Sequence, residues 1–177
     1  MSDISRTSLF GKLNNLGYKG LEGATVFCKL RGNPYVELAH WVHQVVQNQD
    51  SDLHRLVRRF GIDPGRLATD LQAALDRMPR GSDGIRDISA QLQDAVERAW
   101  MYASLQFREF QVRTGHVVLA MVKHTHLRNI LMGVSKEFEK KWKDRTECDK
   151  DFITEQCKNA PKPKKGAATT VQQAPQP

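Results

Sequence analysis

The sequence predicts an all-α fold: two similar helix bundles related by a pseudo-twofold axis, with one extra helix in front. Three observations carry this. Apolar residues recur at three- and four-residue spacings through most of residues 6–139, and no stretch alternates over a strand length. Helix caps and Gly/Pro stops fall between these periodic stretches. The segment 24–46 also returns in altered form as 99–122.

Arg6 to Leu13 reads as a short first helix with Leu9, Phe10 and Leu13 on one side and Ser5 or Thr7 as its cap. A second helix spans about Asn15 to Arg31. Leu21, Ala24, Cys28 and Arg31 recur along it, and Gly32-Asn33-Pro34 stops it. The third helix, about Glu37 to Gln47, carries Leu38, Trp41, Val42, Val45 and Val46. Asp50-Ser51-Asp52 caps a fourth, with Leu53, Leu56, Val57 and Phe60 inward. Asp63-Pro64 opens a fifth as N-cap and first helical residue, followed by Leu67, Leu71, Ala74, Leu75 and Met78. Pro79 to Gly84 is an internal linker. Helical patterning resumes from Ser89 to Phe107, then over Thr114–Val122 and Leu127–Gly133, and Ser135 caps one further segment.

The repeat is the most informative feature. Ala24-Thr-Val-Phe-Cys-Lys-Leu30 matches Ala99-Trp-Met-Tyr-Ala-Ser-Leu105. After one extra residue, Val36 to Val46 matches Val112 to Val122, with His40 opposite His116. Small residues four apart let a neighbouring helix approach closely, and a helix pair of this size cannot bury its apolar face alone. The expected organisation is a domain over 1–139, with repeat one at about 15–78, repeat two at about 88–139, and a flexible, linker-like tail over 140–177.

The net charge of +7 suggests nucleic acid at first sight. Its distribution argues otherwise. Residues 140–177 hold nine Lys/Arg against five Asp/Glu, while residues 1–139 hold eighteen against fifteen. Leu53–Leu75 has the outline of a helix-turn-helix, yet its second helix offers only Arg66 and Arg77 as cations, opposed by Asp70 and Asp76. Neither nucleic acid nor membrane is an expected partner. No apolar run is long enough to span a bilayer, and no secretory signal opens the chain.

No catalytic, metal or cofactor site is expected. His40 and His43, or His124 and His126, offer one edge of a zinc site without further ligands at suitable spacing; His40 and His116 read instead as core histidines bonded to backbone. Cys28 sits mid-helix among apolar residues, which argues for an inert buried thiol with a raised pKa. Cys148 and Cys157 complete an odd, reduced set.

The Val-x-x-small-His signature at Val36–His40 and Val112–His116 resembles the double repeat of Clp N-terminal domains, found on Clp/Hsp100 AAA+ unfoldases. Phe60 to Leu67 is similar to that family's turn between helices. Ser5 to Asn14, Glu22 to Cys28, Arg31 to Leu38 and Asp50 to Arg55 are similar to the ClpV (TssH) branch of type VI secretion, which carries the added first helix.

This resemblance implies a bacterial cytoplasmic domain that binds an N-terminal helix of the sheath subunit VipB/TssC, so that a hexameric ATPase can disassemble the contracted sheath. The implied groove lies between the first and second helices, at Leu9, Phe10, Leu13, Leu16, Gly20, Leu21, Ala24 and Thr25. No G-x-x-x-x-G-K-[ST] occurs in the chain, so this segment is expected to be non-enzymatic while its parent hydrolyses ATP. The alternatives are a helix-turn-helix-like nucleic-acid binder and a generic Clp N-domain adaptor module.

Overall fold

The computed structural model describes residues 4–142 and 154–155, and it is helical almost throughout. Helix α1 covers Arg6–Phe10, α2 Asn15–Leu30, α3 Leu38–Val46, α4 Asp52–Arg59 and α5 Pro64–Asp76. The second repeat supplies α6 (Ala90–Met101), a π-helical turn (Tyr102–Gln106), α7 (Thr114–Lys123), α8 (Thr125–Val134) and α9 (Lys136–Trp142). Most of the sequence caps act as expected. Asn14 Oδ1 accepts the Gly17 N–H at 2.9 Å, Ser51 Oγ that of His54, and Asp63 Oδ1 those of Gly65 and Arg66. Gly32 takes a φ of 67° just beyond α2, the left-handed conformation expected of a C-terminal glycine.

Three expectations need correction. The first helix stops at Phe10 instead of Leu13, because Leu13 leaves the helix to bridge to Val112. Extended pairing also exists: β1 (Tyr35–Val36) lies parallel to β2 (Asp87–Ile88), two residues each. Strands this short are invisible to alternation. The helical limit also moves, since α9 runs past residue 139 to Trp142. Of the turn expected over Asp151–Cys157, Thr154 and Glu155 are helical; the rest of it, and most of the tail, lies outside the described residues.

These short strands reveal the symmetry. The Val36 carbonyl accepts the Ser89 N–H at 2.9 Å, and the Val112 carbonyl accepts the Asn14 N–H at 2.8 Å. Ser89 and Asn14 are the N-caps of α6 and α2. Each repeat therefore anchors the entry of its first helix on the loop before the other repeat's second helix. His40 and His116 then play one role twice. Nδ1 of each accepts the N–H three residues upstream, from Glu37 at 2.9 Å and Arg113 at 3.0 Å.

The extra residue in the second repeat also has a place. At the end of α2, the Asn33 N–H bonds the Cys28 carbonyl five residues back. Its counterpart is the Glu109 N–H on the Ala103 carbonyl, six residues back. The helix absorbs the insertion by widening into the π turn over Tyr102–Gln106, a common use of that geometry.

One shared core runs through both repeats, from Leu9 and Phe10 through Trp41, Leu71 and Leu119 to Phe138. Helices α2 and α3 pack closely at Gly20. A Cβ built on Gly20 would come within 2.5 Å of Val45 Cγ2, so only glycine fits there. A buried ion pair joins the repeats. Arg113 grips both oxygens of Asp52, Nε at 3.0 Å and Nη2 at 2.9 Å. The same carboxylate accepts the Gly115 N–H, and the Asp52 N–H donates to Thr114 Oγ1.

Candidate partner-binding surface

Helix α1 is too short to hold its own shape, so tertiary contacts fix it. Leu9, Phe10 and Leu13 are buried beneath it. Its polar contacts reach the second repeat. Arg6 pairs with Asp87 and donates to Gln93 Oε1 at 2.9 Å, and Arg6 holds the Asp87 carboxyl below its usual range. The Lys12 carbonyl accepts the Val112 N–H at 2.7 Å, while the Lys12 ammonium lies 4.7 Å from the Trp100 ring centre. The helix partner of α1 is thus α6.

This changes the expected groove. Of its eight residues, Leu9, Phe10, Leu13, Gly20, Leu21 and Ala24 are buried. Gly20 faces α3, and Leu21 and Ala24 lie on the core side of α2. Leu16 and Thr25 are partly exposed, but they stand nine residues apart, about half a turn round the helix at ~100° per residue. They flank the buried stripe on opposite sides. The Thr25 hydroxyl is turned back onto the Leu21 carbonyl at 2.9 Å. The structure therefore unites Leu9, Phe10 and Leu13 under α1 and distributes the other five around the packed face of α2. Leu13→Asp is expected to lower folding stability by about 2–3 kcal/mol through its buried position; urea unfolding followed by circular dichroism measures this, and unchanged stability would show that the bridge to Val112 is dispensable.

The open feature lies on the other side of α1. A cleft of about 370 Å³ runs beside α6, lined by Arg6 of α1 and by Tyr35, Asp87, Gln93, Asp94 and Glu97 among others. Asp94 is held below the usual carboxylate range by Arg98 and His126, which outweigh its partial burial. Sequence reasoning did not name this lining. The legible signal was the polar side of the α6 wheel, where Ala90, Asp94, Glu97 and Met101 fall on one strip.

The remaining constellations resolve into structure. Cys28 is buried, its thiol donates toward the Asn33 and Tyr35 carbonyls, and burial pushes its pKa up to about 11, with Glu37 adding to the effect. The other two cysteines lie outside the described residues. His124 is taken up by Arg98 and the Tyr102 hydroxyl, and His126 by Asp94. Among the described residues no three His, Cys, Asp or Glu converge to hold a metal. In the helix-turn-helix outline, Arg66 lies 3.8 Å from Glu137 and α5 buries Leu67, Leu71, Ala74 and Leu75. Among the described residues no helix is long and apolar enough to cross a membrane.

Known proteins share this architecture. Over 140 residues the chain is 62% identical to the AAA+ ATPase ClpV1 of Pseudomonas aeruginosa, covering 79% of this chain and 16% of that protein. The chain thus spans about a sixth of that relative's length. A solved structure associated with the coevolution of the ATPase ClpV, the TssB–TssC sheath and the accessory HsiE protein superposes with a TM-score of 0.77 at 58% identity, covering 86% of this chain and 95% of that one. A complex of a ClpV N-domain with a VipB peptide has the same fold, with a TM-score of 0.62 at 22% identity over 84% of this chain and 95% of that one. The model of the Clp repeat (R) N-terminal domain matches residues 19–134, which include both copies of the Val-x-x-small-His signature, and the chain belongs to that family.

Proposed function

We propose that this chain is the sheath-recognition domain of a type VI secretion ATPase, and that it binds an N-terminal helix of the sheath subunit VipB/TssC. The observation that carries the reading is α1: a helix outside the matched repeat, tied to the second repeat by Arg6, Lys12 and the Leu13–Val112 bridge, with an open cleft beside Arg6. Relatives named for ClpV, for the TssB–TssC sheath and for a VipB peptide support it. The chain itself performs no catalysis. Its parent would form a hexameric ring whose ATPase modules disassemble the contracted sheath, and six modest sites acting together would favour a surface that repeats the same helix.

We place the docking surface at the α1–α6 seam instead of on the expected face of α2, because most of that face is buried. Leu9, Phe10 and Leu13 hold α1 in place, and Arg6, Gln93 and Glu97 form the rim. Such helix-in-groove recognition depends on the groove being open. Gln93→Trp is expected to weaken binding of a sheath-helix peptide at least about tenfold, or about 1.4 kcal/mol, while Thr25→Trp on the flank of α2 leaves it within about twofold. The reverse pattern in a calorimetric titration would return the site to the α2 side. Deleting residues 1–14 should abolish binding, whereas a generic Clp adaptor module would retain its partner. The relative at 58% identity is also associated with the accessory HsiE protein, which makes that protein the second reading and the second titrant.

A further inference from the structure

The linker between the repeats is zipped to the loop that follows α2. The Ser82 N–H donates to the Gly32 carbonyl at 3.0 Å, the Arg86 N–H to Pro34 at 2.7 Å and the Ser89 N–H to Val36 at 2.9 Å. Strands β1 and β2 pair in the same stretch. At Gly32 the two segments come so close that a Cβ there would stand 3.2 Å from the Gly81 nitrogen. One side chain reinforces this backbone pairing. The Asn33 side-chain N–H donates to the Pro79 carbonyl at 2.8 Å, and Asn33 is only 1% exposed. Its Oδ1 accepts the Nε2 proton of His40 at 3.0 Å, while His40 Nδ1 accepts the Glu37 N–H at the start of α3. A buried polar chain thus runs from the cap of α3 through Asn33 to the start of the linker.

The second repeat lacks this arrangement. Glu109 stands three residues before Val112, where Asn33 stands three before Val36. His116 matches His40, yet its Nε2 has no hydrogen-bond partner among the described residues. The loop before α7 is tied to the other repeat through the backbone of Val112, which pairs with Lys12 and Asn14. A buried side-chain amide is costly unless both its ends are bonded. Only the copy that holds one also lines the cleft beside α6. Tyr35 lies on the loop side of the zip, Asp87 and Ser89 lie on the linker side, and all three belong to the cleft lining.

We propose that Asn33 is a positioning residue for the partner site: by clamping the start of the linker it holds Tyr35, Asp87 and Ser89 in one register before a helix arrives. The inference rests on the sheath-recognition reading of that cleft. Asn33 is too deeply buried to touch a partner itself. Its effect is preorganisation. A linker free to open would leave only a fraction of chains with a formed cleft, and the apparent affinity falls by that fraction.

Amide hydrogen exchange on the full 177-residue chain tests the clamp without any ligand. In the unaltered chain the Ser82 and Arg86 amides should exchange at least about a hundredfold slower than in an unfolded chain. Asn33→Asp, at neutral pH, keeps an acceptor for His40 and removes only the donor to Pro79. It should speed both amides about tenfold while Leu119 in the core of α7 stays within about twofold. The His40 ring should then titrate above its value of about 4, because a carboxylate has replaced the amide oxygen. Affinity for a peptide of the sheath subunit's N-terminal helix should fall about fivefold. Leu127→Ala, a core change in α8, supplies the stability control and should leave that affinity within about twofold. Ser82 and Arg86 amides at unfolded-chain rates in the unaltered protein, or unmoved by Asn33→Asp, would overturn the inference. So would an equal loss of affinity in Leu127→Ala, or full affinity in a chain whose linker amides are freed. An unaltered chain that binds no sheath helix would instead overturn the sheath reading, and the amides alone would then decide the clamp.

Discussion

Replacing Asp52 by alanine is expected to cost the domain about 3–5 kcal/mol, the usual penalty for stranding one member of a buried ion pair. Three groups lose their acceptor at once: both donating nitrogens of Arg113 and the Gly115 N–H in the first turn of α7. The Arg113 side chain is itself nearly buried, so its guanidinium cannot simply turn to water. The carboxylate also faces the N-terminus of α7, where negative charge is favoured. Because Asp52 opens α4 in the first repeat and Arg113 precedes α7 in the second, the loss falls on the joint between repeats. Urea unfolding provides the measure. The double variant Asp52→Ala/Arg113→Met should be more stable than Asp52→Ala alone, since it removes the nearly buried cation that has lost this carboxylate; a double variant less stable than either single variant would show that the pair is not the source of the penalty.

The second large effect is acid sensitivity. Burial lowers both His40 and His116 from 6.5 to about 4, and Arg31 adds to the effect at His40. Both rings are fully buried. In each, Nδ1 accepts a backbone N–H, so the proton of the neutral ring sits on Nε2. His40 gives that proton to Asn33 Oδ1 at 3.0 Å, while Nε2 of His116 is buried without a hydrogen-bond partner among the described residues. A second proton would have to replace the cap acceptor at Nδ1. Between pH 6.5 and about 4 the unfolded chain therefore takes up protons that the folded chain refuses. The stabilisation is complete above pH 6.5, declines as pH falls, and levels off below about 4, at about 1.4 kcal/mol per pH unit for each histidine within that window. Glu37 works in the opposite sense, because burial raises its pKa and the folded form then protonates first as pH falls. Chemical denaturation between pH 4.5 and 7.5 should show this slope, reduced by about half in His116→Gln. A flat profile over that range would contradict the buried, neutral assignment.

Both histidines were legible in the sequence through the repeat itself, because a residue that returns at the same place in two copies has a structural role to explain. The helices and most caps were legible for the same local reasons: spacing, Ser/Asp/Asn before an apolar run, and Gly or Pro after it. The bridges at Leu13–Val112 and Val36–Ile88 were not, since pairing two residues across a long sequence separation leaves no periodic trace. That omission had a functional consequence. Leu13 read as the last residue of a helix placed the first helix along its sequence neighbour, α2. The bridge instead carries it to the second repeat, and the partner surface proposed above follows that placement. Eight apolar and small residues looked like a groove because spacing alone cannot separate a face that packs from a face that waits for a partner. Gly20 shows the point: its lack of a side chain admits Val45, inside the domain.

The most direct measurement is a calorimetric titration of the folded 177-residue chain with the N-terminal helix of the VipB/TssC sheath subunit, repeated on a chain lacking residues 1–14. The proposed function predicts one saturable site per chain in the first case and none in the second, with the helical circular dichroism of the repeats preserved. Equal binding with and without α1, or no binding to a chain that is fully folded, would contradict it.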